Sequence, residues 1–76
     1  MQSAKLVYMA NQIGRFFVTE DRATAVSGIA DHLRKFWDPR MRAEIVACLE
    51  AGGEDLDPAV REAIAELSED APPGER

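Results

Sequence analysis

The sequence has little of what catalytic and metal sites are built from. It contains one cysteine and one histidine in 76 residues. A single cysteine cannot form an internal disulfide bond, and one histidine with one cysteine falls short of the three or four side-chain ligands that zinc sites use. No nucleophile stands at a recognisable spacing from a base, and there is no glycine-rich phosphate loop. We therefore predict that the chain has no catalytic residues, no metal site and no cofactor.

Long apolar runs are missing too. No segment approaches the roughly 18 consecutive apolar residues that a membrane span requires, so we expect no contact with a membrane. Residues 1–5 lead into an amphipathic segment, which predicts that no signal peptide is present and that the protein is cytoplasmic. The net charge of −5 argues against nucleic acid as a partner, because duplex binding depends on clustered Lys and Arg that neutralise phosphates.

Charge is divided unevenly along the chain. Residues 1–42 carry seven Lys and Arg against four Asp and Glu, whereas residues 43–76 carry two against ten. This asymmetry favours protein surfaces over polyanions as partners. A domain of this size buries only about 60% of the surface that its unfolded chain exposes, so we expect a partner chain, identical or different, to add stability.

Apolar residues recur at spacings of three and four, and no segment alternates with period two, which predicts one all-α domain over residues 1–67. Ser3, Thr19 and Asp38 are the predicted N-caps of the first three helices, and Gly52-Gly53 ends the third. The expected bundle has two longer antiparallel helices, over residues 4–17 and 20–36, and two shorter helices, over residues 39–51 and 58–67. Residues 68–76 are predicted to form a disordered acidic tail.

Two glycines indicate how the longer helices meet. Gly14 and Gly28 each interrupt or border an apolar stripe, although glycine costs roughly 1 kcal/mol in a helix interior relative to alanine. We therefore predict a close antiparallel crossing of the first two helices at these positions. The stripe of the second helix ends with either Phe36 or Trp37, and its period does not distinguish between them.

A cluster of basic and aromatic residues surrounds the boundary between the second and third helices. Arg40 and Arg42 fall in the first turn of the third helix, where the helix dipole disfavours cations, so their presence requires another benefit. One interpretation is that these side chains and an exposed Trp37 bind a carboxylate, a phosphate or an acidic protein surface. The alternative is that the arginines pair with neighbouring carboxylates and that Trp37 closes the end of the helical hairpin. The candidate binding residues are His32, Arg34, Lys35, Trp37, Arg40 and Arg42.

Three segments also have a recognisable order. They are residues 5–13, residues 30–42 with the run Asp-His-Leu-Arg-Lys-Phe-Trp-Asp-Pro-Arg-Met-Arg, and residues 56–63. In this order they resemble the delta subunit of NAD-dependent, molybdenum-containing formate dehydrogenases, over residues 5–67. The resemblance implies a small cytoplasmic accessory or assembly component. It further implies that the larger subunits hold the molybdenum cofactor, the iron–sulfur clusters, the flavin and the NAD site.

Two functional hypotheses follow from the residues and the resemblance together. The first is a non-catalytic accessory subunit that docks on the formate dehydrogenase catalytic subunit or on a maturation chaperone, and supports cofactor insertion or complex stability. The second is a small-molecule-binding module that holds a phosphate or a nucleotide, including a molybdopterin dinucleotide, at the basic helix junction. Self-association into a homodimer through uncovered apolar surface is a third alternative.

Overall fold

Four α-helices form the fold in a computed structural model that describes residues 3–70. They are α1 (Ser3–Arg15), α2 (Arg22–Phe36), α3 (Pro39–Glu50) and α4 (Pro58–Asp70). The predicted all-α class is confirmed, since none of the described residues forms a strand. The fourth helix is longer than expected and matches α1 at 13 residues. It takes in the first three residues of the predicted tail, and residues 71–76 lie outside the described range.

The turn between α1 and α2 differs from the prediction at both ends. α1 ends at Arg15 because the next two amides bond to carbonyl groups three residues back, at 3.1 and 3.0 Å, which tightens the chain into a turn. Asp21 caps α2 in place of Thr19, and its carboxylate accepts a hydrogen bond from the Thr24 amide at 3.2 Å. An aspartate one residue before a helix is a strong N-cap, so it defines the start of α2.

The bend between α2 and α3 forms as predicted. Pro39 is the first residue of α3, and the Asp38 carboxylate accepts a hydrogen bond from the Met41 amide at 2.8 Å. On the other side of the bend, the Trp37 amide closes α2 by donating to the Leu33 carbonyl at 3.0 Å. The backbone of Trp37 itself is extended, so its side chain leaves the helical period of α2.

The end of α3 shows why the sequence places two glycines together. The amides of Gly52 and Gly53 donate to the carbonyl groups of Leu49 and Cys48, each at 3.0 Å. This pair of bonds is the Schellman arrangement, which satisfies carbonyl groups that the end of a helix leaves open. Both glycines have positive φ angles, of 133° and 60°, a region that side chains disfavour.

The core is organised around α2 and α4, which make the most extensive helix–helix contact, while α1 packs against α2, α3 and α4. This arrangement differs from the predicted hairpin of α1 and α2 as the principal pair. The five bulkiest fully buried side chains come from three helices, so these helices share one core. They are Ile29 and Leu33 of α2, Ile45 of α3, and Val60 and Ile64 of α4.

Gly14 and Gly28 have different neighbours from those predicted. A Cβ atom on Gly14 would lie 2.6 Å from Cγ2 of Val60, so this glycine marks the close approach of α1 to α4. A Cβ atom on Gly28 would overlap the ring of Phe17. The predicted close crossing of α1 and α2 is therefore wrong for Gly14, whose nearest neighbour lies on α4, while Ile29 of α2 is at an ordinary contact distance of 3.8 Å. Each glycine makes room for a side chain from a different segment.

Two polar side chains of α1 reach across to the second half of the chain. The hydroxyl of Ser3 donates to the Glu44 carboxylate at 3.2 Å, so Ser3 is a helical residue in a tertiary contact and not the predicted cap. Asn11 uses both ends of its amide: Nδ2 donates to the Asp55 carbonyl at 2.9 Å, and Oδ1 accepts from the Asp57 amide at 3.0 Å. Asn11 thereby fastens the loop between α3 and α4 to α1.

Replacing Asn11 with alanine should lower the free energy of unfolding by about 1–2 kcal/mol, because two hydrogen bonds are lost from a half-buried position. Urea denaturation measures the change, and hydrogen exchange at the Asp57 amide should become faster. Gln12→Ala is the matched control, since Gln12 is exposed and bonds only to the neighbouring Tyr8 hydroxyl. Equal effects of the two substitutions would contradict this role for Asn11.

Candidate protein-binding surface

Trp37, the aromatic residue of the predicted cluster, lies in the core. Its side chain is 6% exposed and belongs to the same apolar cluster as Leu33 and Ile45. The extended backbone at this position takes the side chain out of the helical period of α2, and the indole packs into the core. This burial contradicts the interpretation in which Trp37 is exposed. Trp37 therefore offers almost no area to a partner.

Arg34 and Lys35 occupy the last turn of α2, where cations complement the helix dipole. The Arg34 guanidinium lies 3.8 Å from the Asp31 carboxylate and 4.0 Å from that of Glu66, so it links α2 to α4. The Lys35 ammonium lies 3.6 Å from Asp31 and is largely exposed. Exposed ion pairs of this kind contribute little to stability, typically about 0–1 kcal/mol, so Lys35 remains available at the surface.

The structure separates Arg40 from Arg42, which the sequence had grouped together. Arg42 reaches back over the bend, and its Nη1 donates to the Arg34 carbonyl at 3.4 Å. This contact gives the physical reason for a cation in the first turn of α3, because the guanidinium serves the carbonyl end of α2. Arg40 instead lines a groove between α1 and α3, beside Ser3 and Glu44. Arg40 and Arg42 thus have different neighbours, and anion binding by the basic cluster stays a prediction.

The sequence pattern did not decide whether Phe36 or Trp37 ends the apolar stripe of α2. In the structure Phe36 is the exposed residue of the two. Its side chain is 70% exposed, and its ring centroid lies 4.7 Å from that of half-buried His32, one helical turn earlier. Together with Lys35, these residues form a small surface at the end of α2. We call the set of His32, Lys35 and Phe36 the α2-end surface. Within residues 3–70, three further large apolar residues are exposed, namely Tyr8, Phe16 and Val18.

Metal ligands and membrane-spanning segments are both missing from the described part of the chain. Within residues 3–70, no group of three or more His, Cys, Asp and Glu is arranged so that it could hold a metal ion. Cys48 is a free, half-buried cysteine that packs against the core. In the same range, no helix combines the length and the apolar character needed to cross a membrane.

Comparison with known families bears out the resemblance seen in the sequence. Residues 5–64 match the model of the family described as the NADH-dependent formate dehydrogenase delta subunit FdsD. The matched range begins within α1 and ends within α4, so it includes all of α2, α3 and the bend between them. Comparison with curated proteins and with solved structures gave no match.

Proposed function

The chain belongs to the FdsD family of formate dehydrogenase delta subunits, and from this premise we propose that it is a non-catalytic, cytoplasmic accessory subunit. It docks on the catalytic subunit or on a maturation chaperone, and it supports molybdenum-cofactor insertion or the stability of the complex. The chemistry belongs to the larger subunits. Family membership supports the partnership with other subunits, and the residues described above support a role in binding.

The observation that carries this proposal is the exposed ring of Phe36 at the α2-end surface. Aromatic side chains are enriched among the few interface residues that carry most of the binding energy. His32 lies against the ring, which restricts the movement of Phe36 and lowers the entropy lost on binding. Lys35 adds a positive charge beside the ring, so an apolar pocket flanked by carboxylates is the complementary surface on the partner.

Replacing Phe36 with alanine should weaken capture of the formate dehydrogenase catalytic subunits at least tenfold, because truncating an aromatic residue that carries binding energy costs about 2 kcal/mol or more. The measurement is co-expression, affinity capture of the small chain, and quantification of the co-purified subunits. Phe16→Ala is the matched control, since Phe16 is also a phenylalanine and is 83% exposed. An equal loss with both variants would contradict docking at the α2-end surface.

Metal analysis of the captured material distinguishes the two forms of the accessory role. Recovery of molybdenum-loaded catalytic subunit with the chain indicates a permanent subunit of the finished enzyme. Recovery of molybdenum-free catalytic subunit alone indicates a component that acts during maturation and then leaves. If the native chain captures neither form nor a maturation chaperone, the accessory role is wrong.

A further inference from the structure

A groove between α1 and α3 forms a second candidate surface, with a volume of about 810 Å³. On the α3 side its floor consists of Ala43, Ala47 and Ala51, which are exposed and spaced four residues apart. Ala4 and Val7 of α1 form the facing wall. We call this feature the α1–α3 groove. The Phe36 ring of the α2-end surface is not among its lining residues.

The dimensions and side chains of the groove suit a helix. Residues four apart on α3 form a continuous row along the helix surface, and small side chains in such a row let a second helix approach closely. The α3 helix has 12 residues, so at a rise of about 1.5 Å per residue it is about 18 Å long and offers roughly three turns of contact. An amphipathic helix lying in an apolar groove is a recurrent mode of recognition.

Two polar contacts described above hold the walls of the groove in position. The Ser3 hydroxyl donates to the Glu44 carboxylate in the middle of α3, and the Asn11 amide donates to the Asp55 carbonyl in the loop beyond the end of α3. The two contacts fix α1 relative to α3 and to the loop that follows α3. A site whose walls are already positioned loses less entropy when a ligand binds, so the groove is prepared for an occupant.

The charges on the rim decide which occupant fits. Three carboxylates line the groove, those of Glu44, Glu54 and Asp55, and Arg40 is the one cation among the lining residues. A helix with basic residues beside its apolar edge complements this rim. A second copy of the chain docking through the same groove would bring two sets of these carboxylates together, which disfavours a symmetric dimer at this face.

We propose that the α1–α3 groove docks a basic amphipathic helix of another protein in the formate dehydrogenase assembly. This inference rests on the proposed accessory function and adds a second interface to it. Apolar residues of the partner helix pack on the row of alanines. Its Lys or Arg side chains lie against the carboxylates of Glu44, Glu54 and Asp55.

Replacing Ala47 with arginine tests the groove directly, because the new side chain occupies the middle of the floor and repels a basic helix. We expect at least a tenfold loss of captured catalytic subunits or chaperone, with an unchanged helical circular dichroism spectrum. Ala23→Arg is the matched control, since Ala23 is an exposed alanine of α2 outside the groove. Capture by this control should equal that of the native chain.

A second variant tests the charges without adding bulk. Replacing Glu54 with glutamine and Asp55 with asparagine should weaken capture severalfold and reduce its dependence on salt, because fewer charge pairs remain to be screened. A charge-matched control replaces the exposed Glu20 and Glu69 with glutamine, on segments that do not line the groove. Neither the amount captured nor its salt dependence should change in this control.

The outcomes separate failure of the groove from failure of the accessory function. If native chain, Ala47→Arg and the charge variant capture the same amount of partner, the groove proposal is overturned while the accessory function stands. If Ala47→Arg changes only the sedimentation of the isolated chain, the groove joins two copies and the proposal is overturned in favour of a homodimer. If the native chain captures no partner, both the groove proposal and the accessory function are overturned.

Discussion

Replacing Trp37 with alanine should lower the free energy of unfolding by about 3–5 kcal/mol, because truncating a buried tryptophan removes apolar contacts and leaves a cavity. A domain of 76 residues has a total stability of roughly 4–11 kcal/mol at typical values per residue, so the variant should be close to unfolding. Urea denaturation followed by circular dichroism measures the loss. The melting temperature should fall by well over ten degrees.

Phe36→Ala is the natural comparison, because the two aromatic residues are adjacent in sequence and differ in burial, at 70% against 6% exposed. We expect Phe36→Ala to change stability by less than about 0.5 kcal/mol, the usual range for surface substitutions, while it weakens partner capture. Trp37→Ala should act through stability alone. A stable Trp37→Ala variant that no longer binds a partner would show that the indole, and not Phe36, is the docking residue.

Replacing Gly14 with alanine should destabilise the protein by about 1–3 kcal/mol, although helix propensity alone predicts a gain of roughly 1 kcal/mol. The added methyl group would lie 2.6 Å from Cγ2 of Val60, which is fully buried. Valine in a helix has one strongly preferred rotamer, so the side chain cannot turn away from the contact. Overpacking therefore outweighs helix propensity. Denaturation curves of the native protein and of Gly14→Ala show directly whether the variant is less stable.

A double-mutant cycle with Val60→Ala tests that explanation. Val60→Ala destabilises the protein on its own because it leaves a cavity, but in its presence the methyl group that Gly14→Ala adds has room. We expect Gly14→Ala to become neutral or stabilising in the Val60→Ala background, with a coupling energy of about 1–3 kcal/mol. The same destabilisation in both backgrounds would place the strain of Gly14→Ala elsewhere than at Val60.

The two candidate surfaces differ in charge, so they fit different kinds of partner surface. The α2-end surface combines an aromatic ring with a cation, whereas the α1–α3 groove combines small apolar residues with three carboxylates. A chain with two unlike surfaces can contact two different proteins or two different parts of one protein. Such bridging suits the accessory function proposed above, and variants at the two surfaces should show whether the contacts are independent.

The sequence by itself was sufficient for the positions of most helix ends and for the family. The aspartate and proline at residues 38–39 and the paired glycines at residues 52–53 act through hydrogen bonds to amides and carbonyl groups at most five residues away, so they are readable from local sequence. The spacing of apolar residues by three and four positions is also a local signal, and it predicted the all-α class. The local signals were misread where two caps competed, at Thr19 and Asp21.

Tertiary structure alone decided which side chains are buried and which partners they meet. Phe36 and Trp37 satisfy the same period, and only the extended backbone at residue 37 sends one ring into the core and leaves the other exposed. The contact of Gly14 with Val60 and that of Arg42 with the carbonyl of Arg34 join different helices. Such contacts depend on how whole helices pack, because burial is set by residues that are distant along the chain, and no local pattern encodes them.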